Sequence, residues 1–124
     1  VSRNSGSDTD GTVDDGKVTW QHALDYVALL NAQNYLGHND WRLPNVLEID
    51  SLVHYGYAQE TCSGTPCASS GAWLNTQGFV NIQPLGAYWS STSRASNPST
   101  YACILYSYDF KSNYHYIWPV RGPQ

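Results

Sequence analysis

The sequence predicts an α+β domain, and three observations carry that prediction. Apolar residues recur at helical spacing just after residue 19 and again after residue 45. From Tyr88 onward the alternation shortens to every second residue, the period of half-buried strands. Between these regions, residues 57–87 keep no period at all. Two helices followed by a small antiparallel sheet, with a long irregular region between, is an α+β layout. A chain of 124 residues is one domain and needs no metal or disulfide staple to make a core.

Residues 1–18 read as a polar leader or linker, the tail of a longer protein, and residues 19–124 as the domain itself. The leader is Ser, Asp, Gly, Thr and Asn with almost nothing to bury. Asp8, Asp10 and Asp14, with Asp15, sit among glycines and are the candidate calcium ligands, because hard cations want several oxygen donors on a flexible turn. Their spacing is not that of an EF-hand, and a solvated acidic leader is the preferred reading. No other cofactor is expected.

Thr19 is placed to cap a first helix from Trp20 to about Asn34, with Trp20, Ala23, Leu24, Val27 and Leu30 on its buried face and Gly37 as its stop. Pro44 forces extended backbone before it. Asn45 then caps a second helix, with Glu48 completing a capping box. Val46, Ile49, Leu52 and Val53 form its stripe, and Gly56 is its stop. Trp41 and Leu43 flank Arg42, a pattern that predicts a structural knot with Arg42 on a carboxylate or carbonyls.

In the irregular region, Cys62 and Cys67 lie in the polar loop TCSGTPC. A local disulfide is the preferred reading over half a zinc site, since no second ligand pair has matching spacing, and it points to an oxidising compartment. Cys103 lies in an alternating apolar run and reads as a buried thiol. Strands are expected at Tyr88–Thr92, Thr100–Tyr108 and Tyr114–Val120, with a turn at Asp109–Asn113. Trp20, Trp41, Trp89, Trp118, Leu43 and Ile49 are the expected core.

Charge narrows the function. Residues 1–60 carry nine acids against three bases, net −6, while residues 86–124 carry Arg94, Lys111 and Arg121 against Asp109, net +2; the chain is −4 in all. An acidic chain argues against phosphate-driven nucleic-acid binding. No apolar run reaches the roughly 20 residues of a membrane span. No nucleophile elbow, HExxH or phosphate-cradling loop is present, so no catalytic residue is assigned. The last third mixes Tyr with Ser and Asn, the composition of recognition surfaces, where a ring gives large contact area for few rotors. Arg94, Asn97, Tyr106, Tyr108, Asp109, Lys111, Asn113 and Tyr114 are the expected ligand contacts.

Four separated motifs carry a family resemblance: Thr19-Trp20-Gln21-His22-Ala23-Leu24, Gly37-His38-Asn39-Asp40-Trp41-Arg42-Leu43-Pro44-Asn45, Tyr88-Trp89-Ser90-Ser91-Thr92 and Trp118-Pro119-Val120-Arg121-Gly122. In this order they resemble the Lcl C-terminal domain family of bacterial secreted or surface domains. The Arg42-Leu43-Pro44 element and the closing Val120-Arg121-Gly122 are also similar to the formylglycine-generating enzymes. The resemblance implies a C-type-lectin-like fold, a secreted or cell-surface location, and adhesion to a glycan, sulfated glycosaminoglycans included, or to a protein ligand. It implies no shared catalytic residues. The cysteine pair those oxidases carry late in the fold is matched here only by Cys103, which leaves oxidation a remote alternative. The apolar first strand usual in the family is missing from residues 1–16, which predicts an open edge on Tyr114–Val120. That edge suggests the main alternative, a self-assembly module or homo-oligomer.

Overall fold

The structure, a computed structural model, describes residues 16–51, 56, 59–67, 70–77, 87–104 and 107–122. Asp8, Asp10, Asp14, Asp15, Leu52, Val53, Phe79 and Tyr106 lie outside the described residues. The architecture is α+β: helices α1 (Trp20–Ala32), α2 (Val46–Asp50) and α3 (Ser70–Thr76), with short strands β1 (Trp41–Arg42), β2 (Thr61–Cys62), β3 (Thr65–Pro66), β4 (Trp89–Ser93), β5 (Tyr101–Ile104), β6 (Ser107–Phe110) and β7 (Val120–Arg121). The strands form three small antiparallel sheets, β1–β7, β2–β3 and β4–β5–β6.

Local chemistry fixes the two expected helix starts. The Thr19 hydroxyl accepts from the His22 N–H, and the Asn45 side chain accepts from the Glu48 N–H while Glu48 Oε1 accepts from the Asn45 N–H. Each cap satisfies backbone donors that the first turn leaves over. The ends differ from expectation. α1 stops at Ala32, and Gly37 instead closes a separate 3-10 turn, Tyr35–Gly37. The stop is at Ala32 because Asn34 and Leu36 take left-handed backbone, φ 50° and 53°, which no α-helix continues through. α2 ends at Asp50, not Gly56.

The core gathers Val18, Ala23, Val27, Leu43, Trp89, Ala102, Ile104 and Ile117, with Ile49 and Leu30 also buried. Trp89 is fully buried, its indole N–H donating to the Val18 carbonyl at 2.8 Å. Three expected core tryptophans, Trp20, Trp41 and Trp118, are only half-buried. Trp20 and Trp41 pack on the core and turn their N–H groups to carbonyls of Ser90 and Tyr35. An indole with a polar tip favours such edges. Asn31 brackets Trp41 like a neighbouring strand, donating to its carbonyl and accepting from its N–H.

Arg42 is the knot that the sequence suggests. It forms a fork with both Glu48 oxygens at 2.6 and 2.8 Å and donates through Nε to the Gly122 carbonyl at 2.5 Å. It thereby ties β1 and α2 to the chain just after β7. The Arg42 fork, with the Asn45 N–H, lowers the Glu48 pKa to about 2, while the same pair raises that of Arg42. A carboxylate held below its ordinary value contributes stability above that value, near 4.5, and loses it as pH falls toward about 2. Unfolding curves between pH 5 and about 2 are therefore expected to show a shallower decline for Glu48→Gln than for the parent. Parallel curves would mean that the pair contributes nothing.

Val18, at the end of the expected leader, packs into the domain. It is fully buried and pairs antiparallel with His115, each N–H donating to the other's carbonyl. On its other side the segment bonds to the start of β4 and the residues leading into it, Tyr116 donating to Ala87 and accepting from Trp89. Residues 115–116 are thus hydrogen-bonded on both flanks, and the open edge expected there is filled by Val18. The long strand Tyr114–Val120 also resolves into bridge residues and the two-residue β7. The expected strand Thr100–Tyr108 is likewise two arms of a hairpin, since Ile104 pairs with Ser107, and Asp109 belongs to β6 rather than to a turn. Alternation alone specifies faces, not where a strand reverses.

The irregular region contains α3 and a disulfide-closed hairpin. Ser63 and Gly64, both with positive φ, make the tight reversal between β2 and β3. Cys62 and Cys67 are bonded across it. For so short a loop, loop-closure entropy gives the bond about 2 kcal/mol. Thiol reduction is expected to lower the urea midpoint accordingly; an unmoved midpoint would place the hairpin outside the cooperative unit.

Candidate functional site

The three-stranded sheet has two chemically different faces. Partnered residues in antiparallel strands project to the same side, and β5 and β6 pair Tyr101 with Phe110 and Cys103 with Tyr108. These four share the outer face. Ala102 and Ile104 turn inward and are buried. On the outer face, Tyr101 meets Tyr108 edge-on at 5.4 Å and lies 4.6 Å from Phe110 at a tilt of 34°. Tyr108 and Phe110 are 43% and 45% exposed, large values for aromatic rings inside a sheet. Cys103, expected to be buried, is half-exposed between them because its position in the alternation points outward.

Arg94 completes the platform. It follows β4, and its guanidinium carbon sits 3.6 Å from the centre of the Tyr108 ring and 5.6 Å from that of Tyr101. The turn after it is locked by its own backbone: Arg94 donates to Tyr101, Asn97 to Arg94, and Tyr101 to Asn97. Among the described residues, no carboxylate pairs with Arg94. The result is an exposed aromatic surface roofed by one unpaired guanidinium.

The other expected contacts fall in different places. Asn97 is exposed on the turn beside the platform, its carboxamide oxygen 3.4 Å from the Ser99 hydroxyl. Lys111 acts as a strut: its ammonium donates to Ser93 Oγ and the Pro98 carbonyl at 2.9 and 2.6 Å and lies 3.8 Å over the Trp20 ring. Asp109 is turned away from the platform. It accepts from the Phe110 N–H and the Asn113 carboxamide on one oxygen and pairs with His115 Nε2 at 2.7 Å on the other. Burial works to raise the Asp109 pKa, but these hydrogen bonds outweigh it and hold it below the ordinary value. His115 in turn packs nearly perpendicular to Trp89, with ring centres 4.7 Å apart. Asn113 is exposed, but its side chain is already engaged by Asp109. Tyr114 is half-buried.

The structure therefore brings together Arg94, Tyr101, Tyr108 and Phe110, of which the sequence reading named Arg94 and Tyr108. Tyr101 and Phe110 escaped it because they depend on the β5–β6 register. That register could have been found from the alternation of buried Ala102 and Ile104 against Tyr101 and Cys103. The edge of β6 is also closed at Phe110, whose N–H goes to Asp109 and whose carbonyl accepts from Asn113. No cluster of three or more His, Cys, Asp or Glu side chains suited to a metal occurs among the described residues. Among the same residues, no helix is long and apolar enough to cross a membrane.

The family model described as Lcl C-terminal domain covers residues 3–121. No curated protein and no solved structure matches the chain.

Proposed function

The chain belongs to the Lcl C-terminal domain family, and we propose that it is a binding domain of a secreted or surface protein that holds carbohydrate on the outer face of β4–β5–β6. The observation that carries this reading is the platform itself. Two rings more than two-fifths exposed, Tyr108 and Phe110, share one face of the sheet with Tyr101 packed against both. Soluble domains rarely leave adjoining aromatic rings in water without use. Aromatic faces suit the C–H face of a sugar ring, and hydroxyl and guanidinium groups at the rim suit its oxygens. The Cys62–Cys67 bond supports an oxidising compartment.

We also propose a C-type-lectin-like fold. The pairing of Val18 with His115 supports it, since it joins the start of the domain to a late segment as first and last strands are joined in that fold.

A glycan array probed with the parent chain and with Tyr108→Ala and Arg94→Ala tests the site. Both variants are expected to lose about tenfold or more in binding, since central aromatic and Arg contacts dominate such surfaces. Unchanged binding in both would remove the platform as the ligand site. Sedimentation of the purified chain separates ligand binding from self-assembly: a monomer at all concentrations is expected.

A further inference from the structure

Among the described residues, the cations are distributed so that one of them alone is free to meet a ligand, and this restricts the ligand's charge. Arg42 is committed to Glu48 and the Gly122 carbonyl. Arg121 is committed to Asp40. Lys111 is spent on Ser93, Pro98 and the Trp20 ring. Lys17 sits over Tyr116, away from the platform. Among the described residues, only Arg94 has neither a carboxylate nor a hydrogen-bond acceptor on its guanidinium, and it stands over the exposed rings.

Dense polyanions are bound by many cations at once, with release of many counterions. One guanidinium on a chain of net charge −4 offers neither the local cation density nor the long-range field for that. What a single guanidinium offers is a planar set of five donors, matched to the two oxygens of one carboxylate. Its position over Tyr108 shields it from water on one side and strengthens such a pair. Tyr108 and Phe110 beside it offer apolar area to the ring that carries the carboxylate.

We infer that the platform takes an acidic sugar with one isolated carboxylate, of the hexuronate or sialate kind, beside neutral sugar, rather than a densely sulfated chain. The inference rests on the carbohydrate reading of the same face and deepens it.

Calorimetric titration of the full chain tests both, using three probes: sialyllactose, the same sugar with its carboxylate reduced to the alcohol, and dextran sulfate. Sialyllactose is expected to bind about tenfold or more tightly than its reduced form. Its log affinity is expected to fall with log salt at a slope of about −1, one ion's worth. Arg94→Lys is expected to lose about tenfold for sialyllactose, since an ammonium keeps the charge but not the planar fork, and to leave the reduced sugar unaffected. Tyr108→Ala and Phe110→Ala are expected to weaken both sugars alike.

The inference is overturned if dextran sulfate binds more tightly with a slope several times steeper, or if Arg94→Lys binds sialyllactose as the parent does. If Tyr108→Ala and Phe110→Ala weaken both sugars but the carboxylate brings no advantage, only the acidic-sugar inference falls. If those two variants leave every probe unchanged, the platform itself falls. Superimposable circular dichroism spectra of the variants confirm that each loss belongs to the site.

Discussion

Trp89→Ala is expected to lower the free energy of unfolding by about 4 kcal/mol, the largest loss from any single side chain among the described residues. Trp89 is fully buried. Its removal deletes a large apolar volume from the contact between β4, α1 and the His115 segment. It also removes the indole N–H bond to the Val18 carbonyl at 2.8 Å, leaving that carbonyl with the His115 N–H as its donor. Both losses act together, because an unfilled cavity and a lost buried hydrogen bond each destabilise. Against a total of roughly 5–15 kcal/mol for a domain of this kind, the variant is near the limit of folding. Trp89→Phe keeps most of the volume and loses the hydrogen bond, so about 1–2 kcal/mol is expected. Urea unfolding followed by circular dichroism measures both. A loss below about 1 kcal/mol in Trp89→Ala would show that Val18 and His115 close over the gap.

Lys111→Ala is expected to cost about 2 kcal/mol, more than a surface lysine normally does. Its ammonium joins three parts of the chain: the Ser93 end of β4, the Pro98 turn and the Trp20 ring at the start of α1. Hydrogen bonds from a charged donor and a cation over an indole each contribute on the order of 1–2 kcal/mol. Lys111→Met separates the stem from the head, because it retains the hydrophobic stem against Trp20 and loses the ammonium, with both its donors and its charge over the ring. Thermal unfolding of the two variants beside the parent reads the difference. If Lys111→Ala unfolds with the parent, the three contacts are coincidences of geometry without energetic weight.

Sequence alone reached some of this molecule and missed some for identifiable reasons. Thr19, Asn45 and Glu48 announced their helix starts because capping is local: the donor and the cap lie within three residues. Arg42 was legible for a similar reason, since its carboxylate partner is only six residues away. The β5–β6 hairpin was not legible, because Tyr and Ser recur through residues 99–116 without marking where the chain turns back. Everything at the platform that depended on that register was lost with it. Phe110 went unnoticed, and Asp109 was assigned outward although its carboxylate points to His115. The burial of Val18 was hidden by distance: its partners are His115 and Trp89, far along the chain. Composition did indicate that the last third was unusual. It did not indicate which half of each strand faced water.

The division of β5 and β6 between their two faces bears on how this domain tolerates change over time. Ala102, Ile104 and Asp109 answer to the interior, and their replacement disturbs packing or the hydrogen bonds that hold the strand end. Tyr101, Tyr108, Phe110 and Arg94 answer only to whatever lies outside and to one another. Mutation at these four positions is thus largely uncoupled from the folding constraint. A lineage, or a laboratory library randomised at those positions, is able to explore new specificities on an unchanged scaffold, with every second residue of a strand as its variable alphabet.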